Sequence, residues 1–164
     1  MQRESQREIE TVRQLLFGDH ERLDALFVKL IDTFREGDWD DVRAMWTQLD
    51  SGLVAHLEAE ERHLLPLFAR VEPAEATALL EEHARFRTML NELGVGVDLR
   101  SVSLAVADAF VDALRAHARR EDELFYRWAE RHIDASAREA VARELKNAKW
   151  TAAGRSRSRS TRSP

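Results

Sequence analysis

The sequence contains no cysteine and is poor in glycine and proline. Its 164 residues include six glycines, three prolines and a single tyrosine. The absence of cysteine excludes disulfides and thiolate metal sites. Imidazole and carboxylate groups are therefore the ligands available to a metal, and these suit iron, manganese or zinc better than copper(I). The scarcity of glycine and proline leaves long stretches in which a helix can run without interruption.

The chain also lacks a long apolar run. Residues 1–8 contain no apolar stretch of the kind found in signal peptides, and no later segment is apolar over the roughly 20 residues that a membrane span requires. We therefore expect a cytoplasmic protein without a membrane-embedded part. The net charge is −5, although the last ten residues carry four arginines and no acid. The rest of the chain is therefore more acidic than the net charge suggests. This acidity disfavours nucleic-acid binding beyond weak contacts by the basic C-terminal tail.

Apolar residues recur at helical spacing along most of the chain, and no segment alternates in the manner of a strand. The first helix is predicted over residues 4–35. The second is predicted from Asp38 or Asp40, either of which can cap it, to about residue 71. Pro66 should kink this second helix or end its regular part.

Three further helices complete the predicted set. The third is expected over residues 73–93 and ends where Gly94 and Gly96 interrupt the pattern. The fourth is expected over residues 101–131, and a short fifth over residues 135–150.

Short connections between long helices indicate an all-α, up-down-up-down four-helix bundle followed by a short C-terminal helix. We assign this bundle to residues 1–150 as one domain. The remaining residues, 151–164, form a basic tail rich in arginine and serine, which is predicted to be disordered.

One helical segment places charged groups on an apolar face. His56 and Glu60 lie one turn apart, on the same face as Leu53 and Leu64. An ionised carboxylate beside an imidazole in an apolar interior is costly unless another charge compensates it. A bound cation would provide that charge.

The two halves of the predicted bundle repeat each other. His20 in the first helix recurs 63 residues later as His83, within a similar run of apolar residues and arginine. The His-x3-Glu pair of the second helix recurs 61 residues later in the fourth. Two hairpins of the same design imply a pseudo-two-fold axis through the core, where one set of ligands per helix converges. The candidate metal ligands are His20, His56, Glu60, His83, His117 and Glu121.

This order of motifs resembles the H…HxxxE…H…HxxxE signature of the hemerythrin-like, or HHE cation-binding, domain family. The resemblance covers about residues 12–130 and includes the amino-acid sequence of the second helix over residues 56–66. It implies a four-helix bundle around a non-haem centre of two iron ions joined by an oxo or hydroxo bridge. The implied ligands are His20 and His56 for one iron ion, His83 and His117 for the other, and Glu60 and Glu121 as bridges.

The sequence departs from the oxygen-carrying members of this family in its third helix. The carriers have two histidines four residues apart there, whereas Leu79 and Arg87 stand at those distances from His83. With one ligand fewer, both iron ions would keep a position open for an exogenous oxygen atom. This difference favours reaction with dioxygen or peroxide over reversible oxygen carriage.

Several neighbouring residues leave alternatives open. His63 could replace the missing ligand, or form hydrogen bonds away from the metal. Asp122 occupies the position at which the carriers place an aspartate, although Glu121 aligns better with the second helix. Arg87 could face solvent or offer its charge to a bound anion. Tyr126 falls opposite His117 on a regular helix, so no role is assigned to it.

The preferred function is that of a non-haem di-iron protein that binds or reacts with dioxygen, peroxide or nitric oxide. Catalase-like and oxidase activity both stay open, and no protein partner is indicated. The alternative is a protein that stores, senses or donates iron. A third possibility is a helical interaction module that binds zinc or no metal.

Overall fold

The computed structural model describes the backbone of residues 10–158 and the side chains of residues 10–147. This part of the chain is helical and contains no strand. A π-helical turn, Glu121–Phe125, joins two of its helices into one continuous rod. The α-helices are α1 (Val12–Glu36), α2 (Trp39–His63), α3 (Leu65–Phe68), α4 (Pro73–Asp98), α5 (Leu104–Arg120), α6 (Tyr126–His132) and α7 (Ala135–Ser158).

Four long segments form the bundle: α1, α2, α4, and the rod made of α5, the π-helical turn and α6. Helix α1 packs against α2, α2 against α4, α4 against α5, and α5 against α1, which closes the ring. The short helix α3 links the halves, and α7 packs across α2 and α1. The predicted all-α four-helix bundle is confirmed. Within the described residues, no helix is long and apolar enough to span a bilayer.

Polar caps define the first two helices. The Thr11 hydroxyl accepts a hydrogen bond from the backbone N–H of Gln14, whose side chain accepts one in return from the Thr11 N–H. This capping box starts α1 at Val12 rather than at residue 4, and positions 1–9 lie outside the described residues. The helix ends at Gly37, whose φ of 82° suits glycine. Asp38 caps α2, as predicted.

Helix α4 continues past the two glycines that were expected to end it. It runs to Asp98 because the glycines serve close packing rather than termination. A Cβ on Gly94 would lie 3.4 Å from the indole of Trp46, and a Cβ on Gly96 would lie 3.2 Å from Val102. The extra turn also buries Val97.

The last helix is longer than expected as well. Helix α7 extends to Ser158, so residues 151–158, which the sequence assigned to a disordered tail, are helical in the structure. Two successive alanines, Ala152 and Ala153, favour this continuation. Residues 159–164 lie outside the described residues, and their disorder stays a prediction.

The apolar interior is divided into two clusters. The upper cluster joins α1, α2, α4 and α5 around residues such as Leu30, Leu49 and Phe110. The lower cluster includes Leu16 and Phe68 and extends to α7. Along each bundle helix, the candidate metal ligands lie between residues of the upper cluster and residues of the lower one. The fold therefore encloses a polar layer between two apolar layers.

Packing in the upper cluster can be tested by matched leucine truncations. Leu30 is 1% exposed and Leu99 is 70% exposed. Leu30→Ala should lower the free energy of unfolding by about 2–5 kcal/mol, because it removes buried apolar contacts and leaves a cavity. Leu99→Ala should change that free energy by less than about 0.5 kcal/mol. Urea denaturation measures both, and equal effects would contradict the described core.

Candidate metal centre

Six polar side chains meet in the layer between the two apolar clusters. Five of them are buried, and the His20 side chain is 15% exposed. They fall into two sets whose nitrogen and oxygen atoms lie within 4.8 Å of one another, which is close enough to hold a metal ion. The first donor group is His20, His56 and Glu121, and the second donor group is Glu60, His83, His117 and Glu121.

The Glu60 carboxylate stands between two histidines on different helices. Its Oε1 lies 3.4 Å from Nε2 of His56, one turn earlier on α2. Its Oε2 lies 3.5 Å from Nε2 of His83 on α4. Glu60 thus directs one oxygen toward each side of the layer.

Glu121 repeats this arrangement from the opposite side of the bundle. Its Oε2 lies 3.3 Å from Nε2 of His20, and its Oε1 lies 3.1 Å from Nε2 of His117. The same Oε1 is 3.5 Å from Nε2 of His83. Each of the two carboxylates therefore faces imidazoles on both sides of the layer.

Four atoms of this layer lack a hydrogen-bond partner among the described residues. They are Glu60 Oε2, His83 Nε2, His117 Nε2 and Glu121 Oε1, which belong to the second donor group. Leaving a buried polar atom unsatisfied costs about 1–3 kcal/mol. One cation among the four atoms would satisfy all of them, so the residues present fit a metal ion.

The electrostatics of the layer also favour added positive charge. Burial alone would lower the pKa of His56, but the charge of Glu60 and a hydrogen bond to Asp19 raise it to about 10. Burial would also lower the pKa of His117. The neighbouring charge of Glu121 outweighs this effect and raises that pKa to about 9. Burial would raise the pKa of Glu121, yet the neighbouring His117 holds it well below its usual range. The raised pKa values of His56 and His117 favour protons on these two imidazoles beside the carboxylates, and a divalent cation would supply the same positive charge.

A buried carboxylate orients the ring of His56. Asp19 Oδ2 lies 3.2 Å from Nδ1 of His56, and Asp19 Oδ1 accepts a 2.9 Å hydrogen bond from Arg22. When Nδ1 donates to a carboxylate, the Nε2 lone pair is free to face a metal. Asp19 was not singled out from the sequence.

The ring of His83 is held in the same way. Glu61 Oε1 lies 2.9 Å from Nδ1 of His83, and Arg87 donates to both Glu61 oxygens at 2.7 and 2.9 Å. Both alternatives considered for Arg87 are therefore replaced, because its guanidinium is bound to Glu61 rather than left to solvent or directed into the layer. It fixes the carboxylate that orients the histidine.

Glu82 orients His117, with 2.6 Å between Glu82 Oε2 and Nδ1 of the ring. Arg120 in turn donates to Glu82 and, through two nitrogens, to Glu75. Glu82 was also missed, although the repeat contained its signal. An acid directly precedes the lone histidine of each hairpin, as Asp19 precedes His20 and Glu82 precedes His83.

His20 is the exception to this pattern. Among the described residues, no carboxylate hydrogen-bonds its Nδ1. Asp122 corresponds to Glu61 in the repeat, but it pairs with Arg13 at 2.8 and 3.0 Å instead. His63 is also occupied elsewhere, because its Nε2 lies 2.8 Å from Glu144 on α7. Neither Asp122 nor His63 belongs to a donor group.

The family comparison agrees with this geometry. The model of the hemerythrin HHE cation binding domain matches residues 11–129 and, in a second overlapping match, residues 74–149. The chain belongs to the hemerythrin HHE cation-binding family. The second match begins at the start of α4 and covers the second of the two repeated hairpins, which carries His83, His117 and Glu121. No curated protein and no solved structure gave a match.

Tyr126 places its hydroxyl inside this hemerythrin-type layer. The phenol oxygen lies 2.6 Å from Glu60 Oε1 and 3.0 Å from Glu121 Oε2. It is also 3.3 Å from Nε2 of His20 and 3.3 Å from Nε2 of His56. Burial, followed by the charges of Glu121 and Glu60, raises the pKa of Tyr126 well above its usual value.

The expectation that Tyr126 faces away from the layer was wrong. That expectation assumed a regular α-helix. In such a helix, side chains five residues apart, such as Glu121 and Tyr126, point about 140° apart around the axis. In the π-helical turn the Tyr126 N–H instead bonds to the Glu121 carbonyl, so the two residues lie one turn apart on the same face. The π-helical turn thus adds a polar group that helical periodicity does not predict.

A largely apolar cavity of about 260 Å³ lies beside the layer, between α1, α2 and α5. Leu53, Phe27 and Val111 contribute to its walls, and it reaches His20 and His117. Apolar walls leading to a polar end admit small uncharged molecules more readily than ions.

The carboxylate behind His56 should matter for stability even without metal. Asp19 is 1% exposed, so Asp19→Ala leaves a buried imidazole without its partner and should cost about 3–5 kcal/mol of unfolding free energy. Asp32→Ala on the same helix, where the side chain is 60% exposed, should cost less than about 1 kcal/mol.

Both variants should be unfolded with urea in the presence of a chelator, so that metal binding does not contribute. Comparable losses in the two variants would show that Asp19 does not have the described role.

Proposed function

We propose that this chain binds two iron ions in the polar layer and reacts with dioxygen or peroxide there. In this proposal the first donor group holds one ion and the second donor group holds the other, with Glu60 and Glu121 bridging them. The observation that supports it best is that each carboxylate directs one oxygen toward each histidine pair. A bridge of this kind requires two ions.

Iron suits this set of donors. The available ligands are imidazole nitrogens and carboxylate oxygens, with no sulfur. An iron pair supplies redox chemistry and a Lewis acid when it is bound. The chain itself holds the rings of His56, His83 and His117 by carboxylates, keeps their Nε2 atoms directed inward, and excludes bulk water by the apolar clusters on both sides.

The composition of the second donor group supports reactivity rather than reversible carriage. It contains two imidazoles and two carboxylates. Leu79 is buried in the lower cluster, and Arg87 is bound to Glu61, so neither completes the site. An octahedral ion there would keep positions for an exogenous ligand. The apolar cavity gives dioxygen, nitric oxide or peroxide, all small and uncharged, a route toward the layer.

Iron content tests the proposed centre. Glu60 is buried, whereas the Glu58 side chain, on the same helix, is 45% exposed. Protein purified in air should contain two iron ions per chain and absorb visible light. Glu60→Ala should lose most of the iron because a bridging carboxylate is gone, and Glu58→Ala should retain it. Iron quantitation and the visible spectrum measure this, and unchanged iron in Glu60→Ala would contradict the proposal.

Peroxide turnover distinguishes the proposed reactivity from iron handling. The iron-loaded protein should consume hydrogen peroxide over many equivalents and should not bind dioxygen reversibly. An oxygen electrode and peroxide absorbance follow both. If peroxide persists while a chelator removes the iron readily, storage or donation of iron is the better account. Reversible dioxygen binding would contradict the coordination proposed here.

A further inference from the structure

The hydrogen bonds of Tyr126 cannot all be satisfied by its own proton. A phenol has one O–H, yet two carboxylate oxygens, Glu60 Oε1 and Glu121 Oε2, lie within 3.0 Å of this oxygen. The chain therefore collects three oxygen atoms around a single phenol hydrogen. The imidazoles of His20 and His56 complete the surroundings.

The distances around this oxygen are those between neighbouring ligands of one metal ion. Metal–ligand bonds to nitrogen and oxygen of about 2.1 Å separate ligands at right angles by roughly 3 Å. The phenol oxygen lies between 2.6 and 3.3 Å from all four atoms around it. Two edges among those four atoms, His20 to Glu121 and His56 to Glu60, measure 3.3 and 3.4 Å. The four distances to the phenol oxygen and these two edges are thus compatible with ligands of one ion.

We propose that Tyr126, as a phenolate, is a ligand of the metal ion held by the first donor group, in addition to His20, His56, Glu121 and the bridging Glu60. The inference rests on the proposed metal centre and adds a residue to it. On binding, the phenol proton passes to solvent and the oxygen forms a bond to the ion, while Glu60 Oε1 exchanges its hydrogen bond for the metal.

Among the described residues, the second donor group has no ligand equivalent to Tyr126. In the internal repeat Glu121 corresponds to Glu60, so Tyr126 corresponds to Leu65, which is buried in the lower cluster. The two ions would therefore differ, because one receives an anionic oxygen from the phenol and the other keeps its open positions. The ligands of an iron ion set its reduction potential. A phenolate ligand stabilises the ferric state, and this disfavours reversible dioxygen binding.

The test uses the fact that Tyr126 is the single tyrosine of the chain. Zinc(II) added to the metal-free protein should produce the ultraviolet difference spectrum of a tyrosinate, at one equivalent per chain. Iron(III) should add a visible band of phenolate-to-iron charge transfer. Both signals are independent of activity, and neither needs a variant. Metal content is measured on the same samples.

Two variants separate ligation from packing. Tyr126→Phe keeps the aromatic ring, so it should fold, lose both signals and bind the first ion at least about 10-fold more weakly. Phe125→Leu changes the same π-helical turn but keeps the phenol, and it should retain both signals. Binding constants come from competition with a chelator of known affinity.

Each result decides the question. If two metal ions bind and neither signal appears, Tyr126 is a hydrogen-bonding residue only, and the inference is overturned while the metal centre stands. Signals that persist in Tyr126→Phe overturn it as well. If the wild-type protein binds no metal at the six residues, the proposed function itself fails.

Discussion

Two carboxylates buried in an apolar interior set the conditions for the rest of this structure. Glu60 and Glu121 are both fully buried, and their charges require compensation within a few ångströms. Imidazoles supply the first compensation, carboxylates orient three of the four imidazoles, and arginines near the surface pair with these carboxylates. The charges thus alternate from the centre outward. The family signature contains only the innermost part of this arrangement.

The bundle accommodates the polar layer by dividing its hydrophobic core in two. Apolar side chains above and below the layer hold four helices at fixed spacing, so the donor atoms do not depend on a loop for their position. A site on rigid helices keeps its geometry better than one on loops. The same division keeps bulk water away from the carboxylates, which strengthens every charge interaction among them.

Helical periodicity and the internal repeat were enough to predict the bundle and to select the six side chains that meet in the layer. They did not reveal how the chain departs from ideal helices. The π-helical turn places Tyr126 on a different face of the rod, and a periodicity of 3.6 residues does not predict that change. The repeat could have selected Glu82 as a candidate, but its pairing with His117 joins different helices, and sequence spacing does not identify that partner. Gly94 and Gly96 looked like breakers because their packing partners are distant in sequence.

The orienting carboxylates also tie the bundle together in chain order, since each lies on the long bundle helix that precedes the one carrying its histidine. The contact between α5 and α1 is the exception, because Asp122 binds Arg13 rather than His20. Besides the apolar packing of the upper cluster, that contact contains two partly exposed ion pairs, Arg13 with Asp122 and Arg115 with Asp24, which dissolved salt screens. The cavity lies along this same contact. Ionic strength therefore acts most directly on the side of the bundle that contains the cavity.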